Sequence, residues 1–443
     1  MEQEQLTLKK VFVFWVPLAA TWLMMAVEGP FLAAVIARLA DPKPNLAAYG
    51  VAFSIAVLVE SPIIMMMTAS TALVKDRLSL LKLRNFTYAL NGGITLIMGL
   101  ILVPPLFTLI AEKLLNLPGD VAHLTHLACL LLLPWPAAIG YRRFYQGILI
   151  RSNLTRRVAY GTVVRLSAMI LTALVCFTFS SLRGAVVGAL ALSIGVCSEA
   201  VASKLMARRA ETALLSRHSP QSSRTPLTYR YIGTFYYPLA LTSMLGLGAY
   251  PIVTFFMGHS CMAIESLAVL PVVNALVFIF RSMGLSFQEV GVALLGEKKE
   301  GYKPLRDFAG VLGFSVTAAL AVIAFTPLAS IWFREISGLS AELYRIAVTP
   351  TRIMTVMPGL MVLLSFQRAL LVNSMNTRPI NTATMIEVTG IVVFLIITVN
   401  FLDLIGAWAA AISLLLGRLF ANTYLFAPYW GELNKLEKPA AVS

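Results

Sequence analysis

The sequence predicts an all-α polytopic membrane protein of twelve transmembrane helices, arranged as two parallel-repeat six-helix bundles, and three observations predict it. The first is composition: 58% of the 443 residues are hydrophobic and 13% charged, with a mean hydropathy of +0.80. A soluble domain has about a quarter of its residues charged. The second is a set of long apolar runs, each of about 20 residues or more, the length a helix needs to cross a hydrocarbon core of about 30 Å. The third is a repeat. Pro17-Leu18-Ala19-Ala20-Thr21 returns 221 residues later as Pro238-Leu239-Ala240-Leu241-Thr242. The same offset carries Pro30 to Pro251, Leu46-Ala47 to Leu267-Ala268, Ser61 to Ser282, Gln146 to Gln367 and Arg157 to Arg378.

Taken in order, the first half offers spans near 11–38, 46–74, 86–111, 122–148, 158–180 and 185–206. The second offers 231–257, 265–293, 307–333, 343–371, 379–401 and 404–428. Alternating barrel patterning is absent, so helices must satisfy the backbone in lipid. The opening span follows a short charged head, outruns a signal-peptide core and lacks a small-residue cleavage site, so it is expected to be retained. A polar stretch with Arg208, Arg209, Ser216, Ser222, Ser223 and Pro226 separates the halves. The expected organisation is a bundle over 1–206, a cytoplasmic linker over 207–230, a bundle over 231–430 and a short tail over 431–443. Six spans per half return the chain to the same face, so the repeat is parallel, with its axis along the membrane normal. Duplicated hydrophobic halves are a pattern of membrane transporters.

Most of the 35 Lys and Arg residues fall in one set of loops, among them Lys75, Arg77, Arg142, Arg143, Arg156, Arg208, Lys298, Lys303 and Arg368. The opposite loops hold Arg38, Lys43, Lys113, Arg183, Arg334 and Arg345. The positive-inside rule then places both termini in the cytoplasm. The net charge of +14 is a topology signal, and no nucleic-acid partner is expected. Short loops leave no room for a soluble catalytic domain and are compatible with a bacterial inner membrane. The expected partners are a small-molecule substrate and the lipid bilayer, and the expected state is a monomer that is not an enzyme.

Each ionisable residue within a span costs about 2.5–3.5 kcal/mol on insertion scales and so needs a partner, a cavity or a role. Glu28 and Glu60 are the sharpest cases, because each precedes a helix breaker: Glu28-Gly29-Pro30 and Glu60-Ser61-Pro62. Proline frees carbonyls beside the acid, which makes both candidates for H+ or Na+ coupling, with no other cofactor and no metal expected. The bland alternative is that they pair with buried arginines. In the repeat register Glu60 corresponds to Arg281, so equivalent positions carry opposite charges. Arg281 and Glu289 lie about two turns apart on one helix face, joined by Asn274, with Gln288 nearby. Together with Arg352, beside Pro350 and Pro358, they are the candidate substrate contacts. Guanidinium grips carboxylate or phosphate with two prongs, which favours an anion, although snorkelling or structural pairing suits each arginine taken alone. Arg165 is a further positive charge within a span, Arg418 and Glu199 read as solvated structural charges near cytoplasmic ends, and for Glu387 both structural pairing and a functional role stay open.

Several enzyme-like matches are discounted. Gly291 to Lys298 has P-loop glycine spacing, but Glu297 occupies the lysine position and the run ends a helix. His123 and His126 read as a polar helix end. Asn85 and Asn153 match sequons on the cytoplasmic face. Cys129, Cys176, Cys197 and Cys261 have no paired spacing and read as buried thiols.

Leu46-Ala47-Ala48-Tyr49-Gly50-Val51-Ala52-Phe53-Ser54-Ile55, following a span that opens with Pro17, resembles the start of MATE-type exporters of the MOP superfamily. It resembles the progressive ankylosis family of that superfamily still more closely. Similar passages are Tyr237-Pro238-Leu239-Ala240-Leu241 with Pro251-Ile252-Val253, Val348-Thr349-Pro350-Thr351-Arg352-Ile353, Gln146-Gly147-Ile148-Leu149 and Gly406-Ala407-Trp408-Ala409. The resemblance implies two bundles around a cleft that alternates between faces. For MATE proteins it implies Na+- or H+-driven extrusion of drugs, often cations; for the ankylosis family it implies release of anions such as ATP, pyrophosphate or citrate. The superfamily also contains flippases of lipid-linked precursors. Arg281 and Arg352 depart from the simple MATE picture, and the acids around Glu28 do not align with the ankylosis pattern position for position.

Overall fold

In the computed structural model, residues 6–152, 154–216, 227–296, 299–374, 376 and 378–437 are described. The centre of the expected linker (217–226), the end of the expected tail (438–443), Asn153 of one sequon and the Glu297-Lys298 pair lie outside them. The first half runs α1 (Leu8–Ala26), α2 (Glu28–Ala37), α3 (Pro42–Glu60), α4 (Met66–Leu73), α5 (Arg77–Ile101), α6 (Pro104–Thr108), a π-helical turn (Leu109–Leu114), α7 (Gly119–Leu131), α8 (Trp135–Arg151), α9 (Thr155–Phe179) and α10 (Gly184–Leu215). The second runs α11 (Tyr229–Gly258), α12 (Ala263–Leu294), α13 (Tyr302–Phe325), α14 (Leu328–Ser330), a π-helical turn (Ile331–Ile336), α15 (Ala341–Ile353), α16 (Met357–Asn373), α17 (Arg378–Ile396), a π-helical turn (Ile397–Phe401) and α18 (Gly406–Glu437). Among the described residues, eleven helical stretches are long and apolar enough to cross a membrane. A twelfth crossing follows if α5 and the segment Pro104–Leu114, bent by 73° at their junction, form one span.

The repeat seen in the sequence is a repeat of elements. Leu8–Ala37 matches Tyr229–Gly258 end for end, and α3 with α4 covers the same register as α12. Both halves place a π-helical turn after their third span, at Leu109–Leu114 and Ile331–Ile336, and both interrupt their fourth, before Trp135 and at Met354–Val356.

The halves differ where the acids are. α3 stops at Glu60 because Pro62 has no N–H for the Leu58 carbonyl; the Ser61 hydroxyl donates to that carbonyl instead, at 2.7 Å. Two carbonyls of the turn that follows are taken by α11: Ser243 Oγ donates to Ser61 O and Tyr236 Oη to Pro62 O, both at 2.6 Å. In the second half the register of Pro62 is held by Met283, which keeps its N–H, and α12 runs unbroken from Ala263 to Leu294. At its far end Gly296 adopts a left-handed φ of 78°, the usual glycine stop of a helix.

The contacts sort the chain into two compact units, 35–258 and 1–34 with 259–443. This division does not coincide with 1–206 and 231–430: the opening helix of each half groups with the other half. In unit 35–258, α10 packs on α9, α8, α7 and α3, α4 packs on α8, and α11 packs on α3. In the other unit, α12 packs on α16, α1 and α15, and α17 packs on α18. One of its core clusters joins Val11, Trp15 and Ala19 of α1 to Phe287, Phe308, Phe366 and Tyr429. Trp15 Nε1 donates to Ser286 Oγ at 2.8 Å. Outward faces are apolar, as with Leu96, Leu171 and Phe314, which are 65%, 64% and 77% exposed, the pattern of helices that meet lipid.

Candidate functional site: buried charge clusters

Unit 35–258 encloses a charge cluster at the meeting of α8, α9 and α10. Glu199 of α10 is fully buried. It accepts hydrogen bonds from Arg142 of α8 and, at 3.0 Å, from Gln146 one turn on, while Arg165 of α9 stands 3.8 Å away. The i, i+4 spacing of Arg142 and Gln146 puts both on one face of α8. α9 and α10 approach closely because Gly195 faces Arg165 O, where a Cβ would stand 3.1 Å off. Glu60, 5% exposed at the broken end of α3, feels the positive charges of Arg142, Arg143 and Arg165, and its Oε2 is buried with no hydrogen-bond partner among the described residues.

Two expectations are corrected here. Arg142 and Arg143 are not loop residues: α8 continues to Arg151 and Arg142 is 4% exposed. Glu199 and Arg418 are not solvated, because both are buried against partners on neighbouring helices.

The other unit holds a counterpart with its charges redistributed. Arg418 of α18 pairs with Glu387 of α17 at 2.7 Å, and its Nη1 lies 3.1 Å from Met361 Sδ. Gly417, facing the Glu387 carbonyl where a Cβ would stand 2.8 Å away, brings these helices together as Gly195 does in the first half. Arg368 of α16 donates to Thr384 Oγ1 at 3.3 Å. The charges of Arg281 and Arg368 both bear on Arg418. Gln367, the register partner of Gln146, donates to Asn422 O at 3.2 Å. Thus the sixth helix carries the acid in one half and the arginine in the other.

The remaining sequence candidates are distributed as follows. Arg281, Asn274 and Gln288 are half-buried on α12. Glu289 is exposed, near Trp22 of α1. Arg352 is exposed at the far end of α13, where its Nε donates to Ala324 O at 3.2 Å and its guanidinium lies 5.5 Å from the Phe325 ring centroid. His126 does the equivalent task in the first half, its Nε2 2.8 Å from Leu102 O at the end of α5. Glu28 is buried at the start of α2 beside Gly29, whose Cβ position lies 3.3 Å from Ala275 Cβ of α12. Glu28 therefore belongs to the unit of Arg281, and Glu60 to the other. Arg368 falls among the loop charges in the sequence, and only its place within α16, against Thr384, reveals it.

Two repeated sets of apolar helices long enough to cross a membrane, each with charges buried between its later members, define an all-helical polytopic membrane fold. Solved structures narrow this to the MATE-like fold. A multidrug resistance MATE family transporter of the MOP superfamily, inward-facing, superposes with a TM-score of 0.73 at 15% identity, covering 95% of this chain and 96% of that one. The lipid II flippase MurJ, inward closed, gives 0.69 at 13% identity with 95% and 92% covered. A MOP superfamily transporter from Pyrococcus furiosus, whose binding pocket of reverse polarity suggests a different function, gives 0.65 at 16% identity with 98% of each chain covered. At such identities the likeness is one of fold. No family model and no curated protein matches the chain.

Proposed function

We propose that the protein is a secondary transporter that exports small organic anions, of the ATP, pyrophosphate or citrate class, by alternating access between two bundles. The observation that carries this reading is Arg281: a half-buried guanidinium in α12, in the register of the acid Glu60, with no hydrogen bond or ion pair among the described residues. A cation held this way in an apolar span is expensive unless a ligand answers it. The ankylosis-like passages support the anion class, as does likeness of fold to the Pyrococcus furiosus transporter, in which reverse polarity of the binding pocket suggests a different function. Asn274, Gln288 and Glu289 share α12 with Arg281 and complete the proposed contacts. Arg352 enters this reading with less support, since Ala324 and Phe325 already engage it. The proposed setting is a bacterial inner membrane with both termini cytoplasmic, and the proposed working form is a monomer.

A second reading, a multidrug exporter driven by H+ or Na+, is favoured by Glu60 and its broken helix. Of the two ions a proton suits Glu60 better. The carbonyls at Leu58, Ser61 and Pro62 already accept hydrogen bonds, which leaves a sodium ion without those ligands. Flipping of a lipid-linked precursor, the activity of MurJ, is a third reading.

Uptake into proteoliposomes of radiolabelled ATP, citrate and pyrophosphate beside a cationic dye, with and without imposed H+ or Na+ gradients, separates these. Anion movement that disappears in Arg281→Ala, with membrane insertion intact, is the expected result. Dye movement that follows a gradient and requires Glu28 or Glu60 would make the multidrug reading correct instead.

A further inference from the structure

In the unit of residues 1–34 and 259–443 the charges of Arg281 and Arg368 bear on Arg418, and among the described residues only Arg418 of the three is ion-paired, with Glu387. Arg418 is the satisfied member, 8% exposed and paired with Glu387. Arg368 finds only the Thr384 hydroxyl, at 3.3 Å, and Arg281 finds no partner among the described residues. The Nε atoms of all three are buried without an acceptor. Each guanidinium offers five donors and accepts nothing, so the cluster has far more donors than the protein supplies with acceptors. Counted as formal charges, three arginines against Glu387 leave an excess of two.

The first-half cluster makes the contrast. There Arg142, Arg143 and Arg165 stand against Glu199 and Glu60, an excess of one positive charge where the second half has two, although the Nε atoms of Arg142 and Arg143 likewise have no acceptor among the described residues. In the second-half cluster Arg281 and Arg368 are half-buried rather than buried, which leaves their guanidinium groups open to a ligand while Arg418 stands behind, fixed by Glu387. We propose that this cluster is the anion subsite: Arg281 and Arg368 contact, and Arg418 backs, an anion that bears at least two negative charges on carboxylate or phosphate groups. Two guanidinium forks match two such groups, and the excess of two charges sets the preference for a multiply charged anion over a singly charged one. The proposal rests on the anion-export reading and adds to it Arg368, Arg418 and the charge requirement.

Calorimetric titration of the purified full-length protein in detergent, at fixed ionic strength, tests it with citrate and pyrophosphate against acetate. Citrate or pyrophosphate should saturate one site and acetate should not. Arg281→Lys, which keeps the charge and loses the fork, and Arg368→Gln should each weaken binding about 10- to 100-fold, the worth of a charge-assisted hydrogen-bond pair. Thermal unfolding checks that each variant is folded; where Arg368→Gln fails that check, Arg281→Lys decides. Equal binding of acetate, absence of binding by the unaltered protein, or unchanged affinity in the folded variants overturns the subsite. If the protein moves citrate in liposomes yet both variants bind it normally, the subsite fails and anion export stands. If the variants lose binding but only the dye is transported, the subsite stands and anion export fails.

Discussion

At the scale of single residues, the repeat register made the opposition of Glu60 and Arg281 readable, because aligning a chain with itself needs no partner sequence. What it hid was Arg142. An arginine doublet four residues before Gln146 looks like a cytoplasmic loop, and only the continuation of α8 to Arg151 shows that one of the pair points into the bundle at Glu199. The same positive-inside tally concealed Arg368. Glu199 therefore yields a sharp expectation. Replacing it with Gln leaves Arg142 buried without its counter-charge, and breaking a buried pair costs about 3–5 kcal/mol. The loss in Arg142→Gln alone should be of similar size, while the double variant should lose much less than the sum. Thermal unfolding of the four proteins in one detergent measures the coupling, and additive losses would remove Glu199 from the role of holding α8 to α10.

At the scale of elements, span positions were legible from apolar length, and the strengths of the breaks were not. Sequence marks Glu28-Gly29-Pro30 and Glu60-Ser61-Pro62 as equal interruptions. The first remains within one long stretch, Leu8–Ala37, where Val27 N–H still reaches Leu23 O and Phe31 N–H reaches Val27 O. The second opens a turn whose carbonyls α11 must satisfy, a tertiary fact that no local pattern contains. Tyr236→Phe removes the donor to Pro62 O and should cost about 1–3 kcal/mol, the penalty for leaving a buried acceptor unmade. A change in unfolding temperature no larger than that of Tyr237→Phe, whose parent side chain is 65% exposed, would mean that water takes over the carbonyl.

At the scale of the whole molecule, the two six-helix sets were visible in the sequence, but the exchange of α1 and α11 between compact units was not, since apolar periodicity says which face is buried and not against which helix. The parallel character of the repeat follows from an even number of spans and makes a demand that does not depend on absolute orientation. Residues in the same register must lie on the same side of the membrane, whereas an inverted repeat places them on opposite sides. Lys113 and Arg334, both exposed and both in the paired π-helical turns, occupy one register. Arg77 and Lys303, exposed at the opposite ends of their spans, mark the other side. In a background without Cys129, Cys176, Cys197 and Cys261, single cysteines at 113 and 334 should react with a membrane-impermeant maleimide in intact cells. Those at 77 and 303 should react only after the membrane is opened. Labelling of 113 without 334 would break the parallel repeat itself; a uniform exchange of the two pairs would keep the repeat and turn the protein over, reversing the direction in which the proposed exporter would move its anion.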